Sequence, residues 1–144
     1  MSGKDVTISL TYSKDEGKLH IDLGDTSLKS ITIDFSKITG GEARALLAAS
    51  VAECMGSWLL HFLRRHEENL AEFRIIARTS TSIVEEENVV DKITLEVHVK
   101  IAGSESDYGK YEKIIRRIIA KGCLISRSLE NGIKVEYVPR IEKL

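Results

Sequence analysis

The feature that most constrains the fold is a stretch rich in alanine and leucine over residues 42–67. Its apolar side chains recur at spacings of three and four residues, at positions 47, 51, 55, 58, 59, 62 and 63. This periodicity predicts one long helix with an apolar face. At ~1.5 Å per residue such a helix is about 40 Å long, which exceeds the radius expected of a domain of this size. Because residues 45–52 are small and apolar almost all round, we expect this part of a central core helix to be buried on most sides.

The segments on either side of this helix alternate between apolar and polar residues, which is the pattern of half-buried strands. Three short segments before it predict a β-meander, and two long segments after it predict an antiparallel hairpin with one packed and one wet face. A second helix ends at Gly122, a typical stop residue, before a short helix and a final strand. The predicted strands cover residues 5–12, 18–23, 28–35, 72–84, 89–101 and 133–138, the later helices cover 106–121 and 123–129, and residues 85–88 form the hairpin loop. The predicted fold class is α+β.

The composition argues against several classes of protein. The 144 residues include 21 Lys and Arg against 22 Asp and Glu, which gives a formal charge of -1. No overall charge therefore favours nucleic acid or an anionic membrane. We find no apolar run near the roughly 20 residues that span a bilayer, no signal-peptide pattern, and no repeat or linker. We expect a single cytoplasmic domain over residues 1–144 that binds neither nucleic acid nor membranes.

Two cysteines are the candidates for chemistry. Cys54 lies within the long helix and Cys123 follows the helix stop, far from any Cys-x-x-Cys spacing. In a reducing compartment such residues are either reactive thiols or inert core residues, and composition leaves both readings open. Arg127 and Lys121 beside Cys123 favour reactivity, because a nearby cation lowers the pKa of a thiol.

Other motifs indicate no further site. The chain has no Gly-rich phosphate loop, no Gly-x-Ser-x-Gly elbow and no His-Glu-x-x-His motif, and we predict neither a cofactor nor a metal. The four histidines are read as solvated or capping residues. Trp58 and Phe62, four residues apart, form a stripe typical of a core or an interface.

Two segments resemble one family. Leu46-Leu47-Ala48-Ala49-Ser50-Val51-Ala52-Glu53-Cys54 resembles the Leu-Leu-Ala-Ala-x-x-x-x-Cys helix of the OsmC/Ohr family, the osmotically inducible protein C and organic hydroperoxide resistance proteins. Gly122-Cys123-Leu124-Ile125-Ser126 resembles that family's Cys-Pro-Val-Ser. The resemblance implies an OsmC-like fold in an intertwined homodimer that reduces organic hydroperoxides. It also implies that Cys54 is the peroxidatic residue, that Cys123 resolves it, and that a dithiol, for instance of the lipoyl type, is the reductant.

The sequence departs from the family pattern around the first cysteine. The family places a glutamate ten residues before this cysteine and pairs it with an arginine from the N-terminal hairpin, which stabilises the thiolate. Here that position holds Arg44, Glu42 lies two residues out of register, and the hairpin offers Lys14 and Lys18 instead of an arginine. We therefore consider these four residues and Arg127 as candidates for stabilising a thiolate, with Arg44 as the hypothesised replacement.

Three functions remain open from the sequence. The first is the cysteine peroxidase of oxidative-stress defence. The second is a dimeric protein of the same fold that binds a small molecule or thiol ligand without efficient peroxidase activity. The third is a structural dimer with two inert core thiols.

Overall fold

The computed structural model describes residues 5–64 and 69–144. The chain divides into two compact units, Met1–Ala43 and Arg44–Leu144, and the boundary falls in the first turn of the long helix. The order of elements agrees with the predicted α+β class and β-β-β-α-β-β-α-α-β succession. The prediction of one domain over residues 1–144 stays a prediction.

The N-terminal unit is the predicted antiparallel meander. Its strands are β1 (Ser9–Ser13), β2 (Lys18–Asp22) and β3 (Ile31–Asp34), with β2 in the middle. The strands are shorter than predicted because local side chains capture backbone N–H groups. Thr26 accepts from the N–H of Leu28 before β3, and Asp34 accepts from the N–H of Ser36 where a 3-10 helix (Phe35–Lys37) follows.

The long helix α1 (Glu42–Leu63) has the predicted apolar face. Its buried residues are Ala48, Val51, Met55, Gly56, Leu59 and Leu63. Of the predicted apolar positions, 51, 55, 59 and 63 are buried, whereas Trp58 and Phe62 are 43% exposed. The predicted end at residue 67 lies outside the described residues, which stop at Arg64. The expectation that residues 45–52 are buried on most sides is wrong for the single chain, because Ala45, Leu46 and Ala49 are exposed. The sheet covers one face of α1 and leaves the other uncovered.

The expectation that no apolar run is long enough to span a bilayer is wrong for helix α1. Its length and mean hydropathy meet the requirements of a membrane-spanning helix, although a core helix of a soluble protein passes the same test. The sequence therefore has one segment that composition alone does not exclude from a bilayer.

The second unit is built on a three-stranded sheet. Strand β4 (Leu70–Val84) pairs antiparallel with β5 (Glu87–Ile101), and β6 (Lys134–Lys143) pairs parallel with β5. The predicted loop over residues 85–88 is too long, because Glu85 and Glu86 form a two-residue turn and Glu87 already pairs with Val84. Both turn residues have positive φ, as tight hairpin turns require.

The central strand β5 presents the predicted packed face to the helices. Its inward side chains are at most 2% exposed and are Ile93, Leu95, Val97, Val99 and Ile101. The last three pack with buried residues of α1 and of α2 (Glu105–Lys121), among them Met55, Leu59 and Ile115, whereas Ile93 and Leu95 cluster with Val51 of α1. Helix α2 therefore completes the core together with the short helix α3 (Leu124–Leu129).

The last strand differs from its prediction in length. It continues past Pro139 to Lys143, whereas the alternating pattern predicted an end at residue 138. Proline is tolerated here because β6 is an edge strand. Its parallel pairing with β5 is possible because α2 and α3 form the crossover between the two strands.

Candidate active site

Cys54 lies in the middle of α1, one residue before the buried Met55. It is half-buried and packs against the core that α1, β5 and α2 form. Its sulfur accepts hydrogen bonds from the backbone N–H groups of Ile125 and Leu124, the first residues of α3. Helix α1 packs against the α2–α3 corner, the turn over Gly122 and Cys123 where α2 ends and α3 begins. This packing places the Cys54 thiol at the first turn of α3.

Cys123 is positioned by the end of α2. Gly122 closes that helix with φ +72° and ψ -178°, and its N–H donates to the carbonyls of Ile118 and Ile119 at 3.2 and 3.1 Å. This backbone conformation is essentially restricted to glycine. It turns the chain so that Cys123 becomes the N-cap of α3.

The side chain of Cys123 belongs to the hydrophobic core and also has polar neighbours. It is only 4% exposed, and its sulfur accepts from the N–H of Ser126 at 3.5 Å. The hydroxyl oxygens of Ser126 and Tyr137 lie 3.4 and 3.8 Å from the sulfur. The hydroxyl of Ser126 also accepts from the Cys123 N–H at 2.9 Å, which completes a reciprocal capping box.

The environments of the two thiols push their pKa values in opposite directions. Burial raises the pKa of Cys54, and the adjacent sulfur of Cys123 raises it further, against the two N–H groups of α3. Burial also opposes ionisation of Cys123, but hydrogen bonds from Ser126, Cys54 and Tyr137 hold its pKa below the ordinary thiol value. As the pH rises, Cys123 therefore ionises before Cys54.

The predicted arginines lie elsewhere. Arg44 is exposed in the first turn of α1, and ten helical residues place it about 15 Å along the axis from Cys54. Arg127 is exposed, and its guanidinium donates to the carbonyls of Lys121 and Gly122 at 3.3 and 3.0 Å. The thiolate-stabilising role of Arg44 and Arg127 stays a prediction, since their described positions supply no contact with a sulfur.

The remaining candidates belong to the N-terminal unit. Glu42 caps the start of α1, where its carboxylate accepts from the N–H groups of Thr39 and Gly40, and these bonds lower its pKa. Lys14 lies in the β1–β2 turn and Lys18 begins β2. Their role at a thiolate also stays a prediction.

Sequence reasoning missed Ser126 and Tyr137. One signal for Ser126 was available, because a polar residue three positions after an N-cap is the pattern of a capping box. Tyr137 had no such signal, because its position beside Cys123 results from the parallel pairing of β6 with β5. Within residues 5–64 and 69–144 no group of three His, Cys, Asp or Glu side chains is placed to hold a metal ion.

One comparison with known proteins identifies a family, and another identifies a shared fold. Residues 36–138 match the sequence profile of the family described as OsmC-like protein. No curated protein matches the chain significantly. Among solved structures, a hypothetical protein from Aquifex aeolicus VF5 has a TM-score of 0.69 at 14% identity and covers 98% of both chains.

Two further structures carry descriptive names. An OsmC-like protein from Mycoplasma pneumoniae has a TM-score of 0.63 at 14% identity, over 98% of this chain and 99% of its own. The organic hydroperoxide resistance protein OhrB of Bacillus subtilis has a TM-score of 0.58 at 16% identity, over 96% of this chain and 100% of its own. At these identities the structures establish a shared fold.

Proposed function

The chain belongs to the OsmC-like protein family, as its two cysteine motifs predicted, and on this premise we propose that it is a thiol-dependent peroxidase that reduces organic hydroperoxides. The observation that carries the proposal is that Cys54 and Cys123 lie close enough at the start of α3 for each sulfur to shift the pKa of the other. Two thiols in contact can exchange between dithiol and disulfide. The name of the Bacillus subtilis relative supports organic hydroperoxides as the substrate class.

Cys54 takes the peroxidatic role because it is the more exposed of the two thiols. Its thiolate attacks the terminal oxygen of the hydroperoxide, the O–O bond breaks, and the leaving alkoxide takes a proton to become an alcohol. Cys54 is left as a sulfenic acid. The thiolate first has to form, against the burial that raises the pKa of Cys54.

Cys123 takes the resolving role. Its pKa is held low by hydrogen bonds, so a thiolate is available beside the sulfenic acid. This thiolate attacks the Cys54 sulfur and displaces hydroxide, which is protonated to water, and a disulfide joins the two residues. A dithiol reductant, for instance of the lipoyl type, then restores both thiols by exchange.

The assembly and location belong to the same proposal. The protein acts as an intertwined homodimer in the cytoplasm, as a single functional domain without a cofactor. The exposed apolar residues of α1, including Trp58 and Phe62 at 43% each, support a second copy as the cover of this helix.

The test is turnover of cumene hydroperoxide with dithiothreitol as the electron donor. We expect consumption well above the rate without protein, and we expect Cys54→Ser to abolish it. Cys123→Ser is the matched control: it keeps the attacking thiol and should release about one equivalent of alcohol in a single turnover. The proposal is wrong if wild-type protein consumes no hydroperoxide with several reductants, or if Cys54→Ser is as active as wild type.

A second function, ligand binding without efficient peroxidase activity, is favoured by one observation. The raised pKa of Cys54 keeps this thiol protonated near neutral pH, and a neutral thiol is a poor nucleophile. Native mass spectrometry separates the two functions. A retained small molecule with both thiols free supports binding, whereas a disulfide that forms on one equivalent of hydroperoxide supports the peroxidase.

A further inference from the structure

Tyr137 is a polar side chain at the site that the proposed reaction does not yet use. It lies on β6 opposite Leu95 of β5 and is half-buried. It packs against the core that α1, β5 and α2 form. Its hydroxyl is 3.8 Å from the sulfur of Cys123 and hydrogen-bonds with Ser126. Two side chains, Ser126 from α3 and Tyr137 from β6, thus lie against the sulfur of Cys123.

The two sulfurs differ in what surrounds them. Cys123 is 4% exposed and faces the hydroxyls of Ser126 and Tyr137 as well as a backbone N–H. Cys54 is more exposed, and its sulfur accepts from backbone N–H groups without a hydroxyl partner among its main interactions. An incoming thiol therefore reaches Cys54 more easily, while Cys123 has the Tyr137 hydroxyl as a side-chain partner that can donate to a negative charge on its sulfur.

We propose that Tyr137 is a positioning residue that sets the direction of disulfide reduction: its hydroxyl donates to Cys123 and makes this sulfur the leaving group, so that the reductant attacks Cys54. The inference rests on the proposed function, since it concerns the return step of the same Cys54–Cys123 pair. It adds a residue and an order of events to that step.

The step balances as follows. A thiolate of the dithiol reductant attacks the Cys54 sulfur, a new S–S bond forms, and the Cys54–Cys123 bond breaks with its electron pair on Cys123. The second thiol of the reductant then loses its proton and attacks the reductant's own sulfur, which displaces Cys54 as a thiolate that takes up a proton. The Cys123 thiolate takes up the proton that the first thiol of the reductant released when it ionised. The reductant ends as a disulfide, having lost two electrons, and the protein ends as a dithiol.

The ionisation behaviour of the phenol agrees with this role. Burial raises the pKa of Tyr137, and the neighbouring thiols add to the effect. The phenol therefore remains protonated throughout the physiological range and can act as a donor. A leaving thiol with a lower pKa departs faster, so the hydrogen bond favours departure of Cys123.

The first experiment titrates Cys123 by thiolate absorbance at 240 nm in a Cys54→Ser background. We expect Tyr137→Phe to decrease the thiolate fraction below the titration midpoint by about tenfold or more, as expected for loss of one hydrogen bond to a charged group. Tyr108→Phe is the matched control, because it removes a tyrosine hydroxyl that donates to the Ile141 carbonyl at 3.1 Å on the same strand. An unchanged titration in Tyr137→Phe would overturn the proposal.

The second experiment locates the mixed disulfide in the wild-type chain. The disulfide is formed with diamide, attacked with glutathione, quenched with acid and mapped by peptide mass spectrometry. We expect glutathione on Cys54 with Cys123 free, and we expect reduction of the Tyr137→Phe disulfide by dithiothreitol to be slower than that of Tyr108→Phe. Glutathione on Cys123 would contradict the proposed direction. No hydroperoxide is used, so failure of the peroxidase function leaves both results interpretable.

Discussion

Cys54 and Cys123 both receive hydrogen bonds from the short helix α3, yet the pKa of Cys54 is raised and that of Cys123 is lowered. Backbone N–H groups at the start of α3 donate to the Cys54 sulfur, and the N–H of Ser126 donates to that of Cys123. Among the described hydrogen bonds, hydroxyl groups contact the sulfur of Cys123 and not that of Cys54. Burial opposes ionisation of both thiols, and the hydrogen-bond partners of Cys123 outweigh it at that sulfur alone, so Cys123 ionises first.

This order gives a prediction on pH dependence. Because burial and Cys123 raise the pKa of Cys54, its alkylation by iodoacetamide should have a midpoint above the ordinary thiol pKa of about 8.5. Below that midpoint the rate should rise about tenfold per pH unit, in step with the thiolate fraction. Cys123→Ser removes a neighbouring charge and should lower the midpoint.

Peptide mass spectrometry of the alkylated Cys54 measures this midpoint. Ser128→Ala serves as the control, because Ser128 lies on α3 with its hydroxyl on the Leu124 carbonyl and should leave the midpoint unchanged. A midpoint below about 7 in the wild type would show that a cation such as Arg44 stabilises the Cys54 thiolate after all.

Helix α1 carries Cys54 and also packs closely against the sheet. Gly56 lies two residues after Cys54 and is buried where the helix approaches β4. A Cβ atom added there would lie 3.5 Å from Cδ1 of Ile75 and 3.9 Å from Cε1 of Phe73, which is ordinary van der Waals contact. The close approach of helix and sheet therefore does not require glycine at this position.

We predict that Gly56→Ala stabilises the protein by up to about 1 kcal/mol, because glycine is that much less favourable than alanine within a helix. Chemical denaturation measures the change in the free energy of unfolding. Gly109→Ala is the control for helix propensity alone, because a Cβ on Gly109 of α2 meets nothing within 4 Å. Destabilisation by Gly56→Ala beside stabilisation by Gly109→Ala would show that the contact with Ile75 is strained.

At the scale of the whole molecule, the main open question is what covers the exposed apolar side chains of α1. Trp58 packs edge-to-face on Phe62 with ring centroids 5.4 Å apart, yet both side chains are 43% exposed and Leu46 is 40% exposed. Exposed large apolar side chains on a helix are typical of a protein interface. The proposed homodimer would bury them.

We predict that Trp58→Glu converts a dimer into a monomer, because a carboxylate buried at an apolar interface without a partner costs several kcal/mol. Analytical ultracentrifugation at micromolar concentration measures the mass. Leu144→Glu, at a position 73% exposed near the C-terminus, is the control and should leave the dimer intact. A wild-type protein that sediments as a monomer would contradict the assembly.

Much of the fold was determined by local sequence patterns. The spacing of apolar residues predicted α1, α2 and the inward face of β5, because burial of one face imposes a period of 3.6 on a helix and 2 on a strand. Two short motifs, one around each cysteine, predicted the family, which the match over residues 36–138 confirms. The element boundaries were less accurate, as the β3 start and the Glu85–Glu86 turn show.

The environment of the two sulfurs was decided by the tertiary structure alone. Burial, the partners of a hydrogen bond and the resulting pKa depend on residues that are distant in sequence, as Cys54 is from Ile125 and Cys123 is from Tyr137. Sequence reasoning searched for a cation near Cys54 and chose Arg44, whereas the fold brings backbone N–H groups to that sulfur. The sequence by itself thus determined the family, the fold class and the cysteines worth testing. The packing of α1 and β6 against the α2–α3 corner decided which donors each thiol receives, because hydrogen bonds depend on distances that periodicity does not encode.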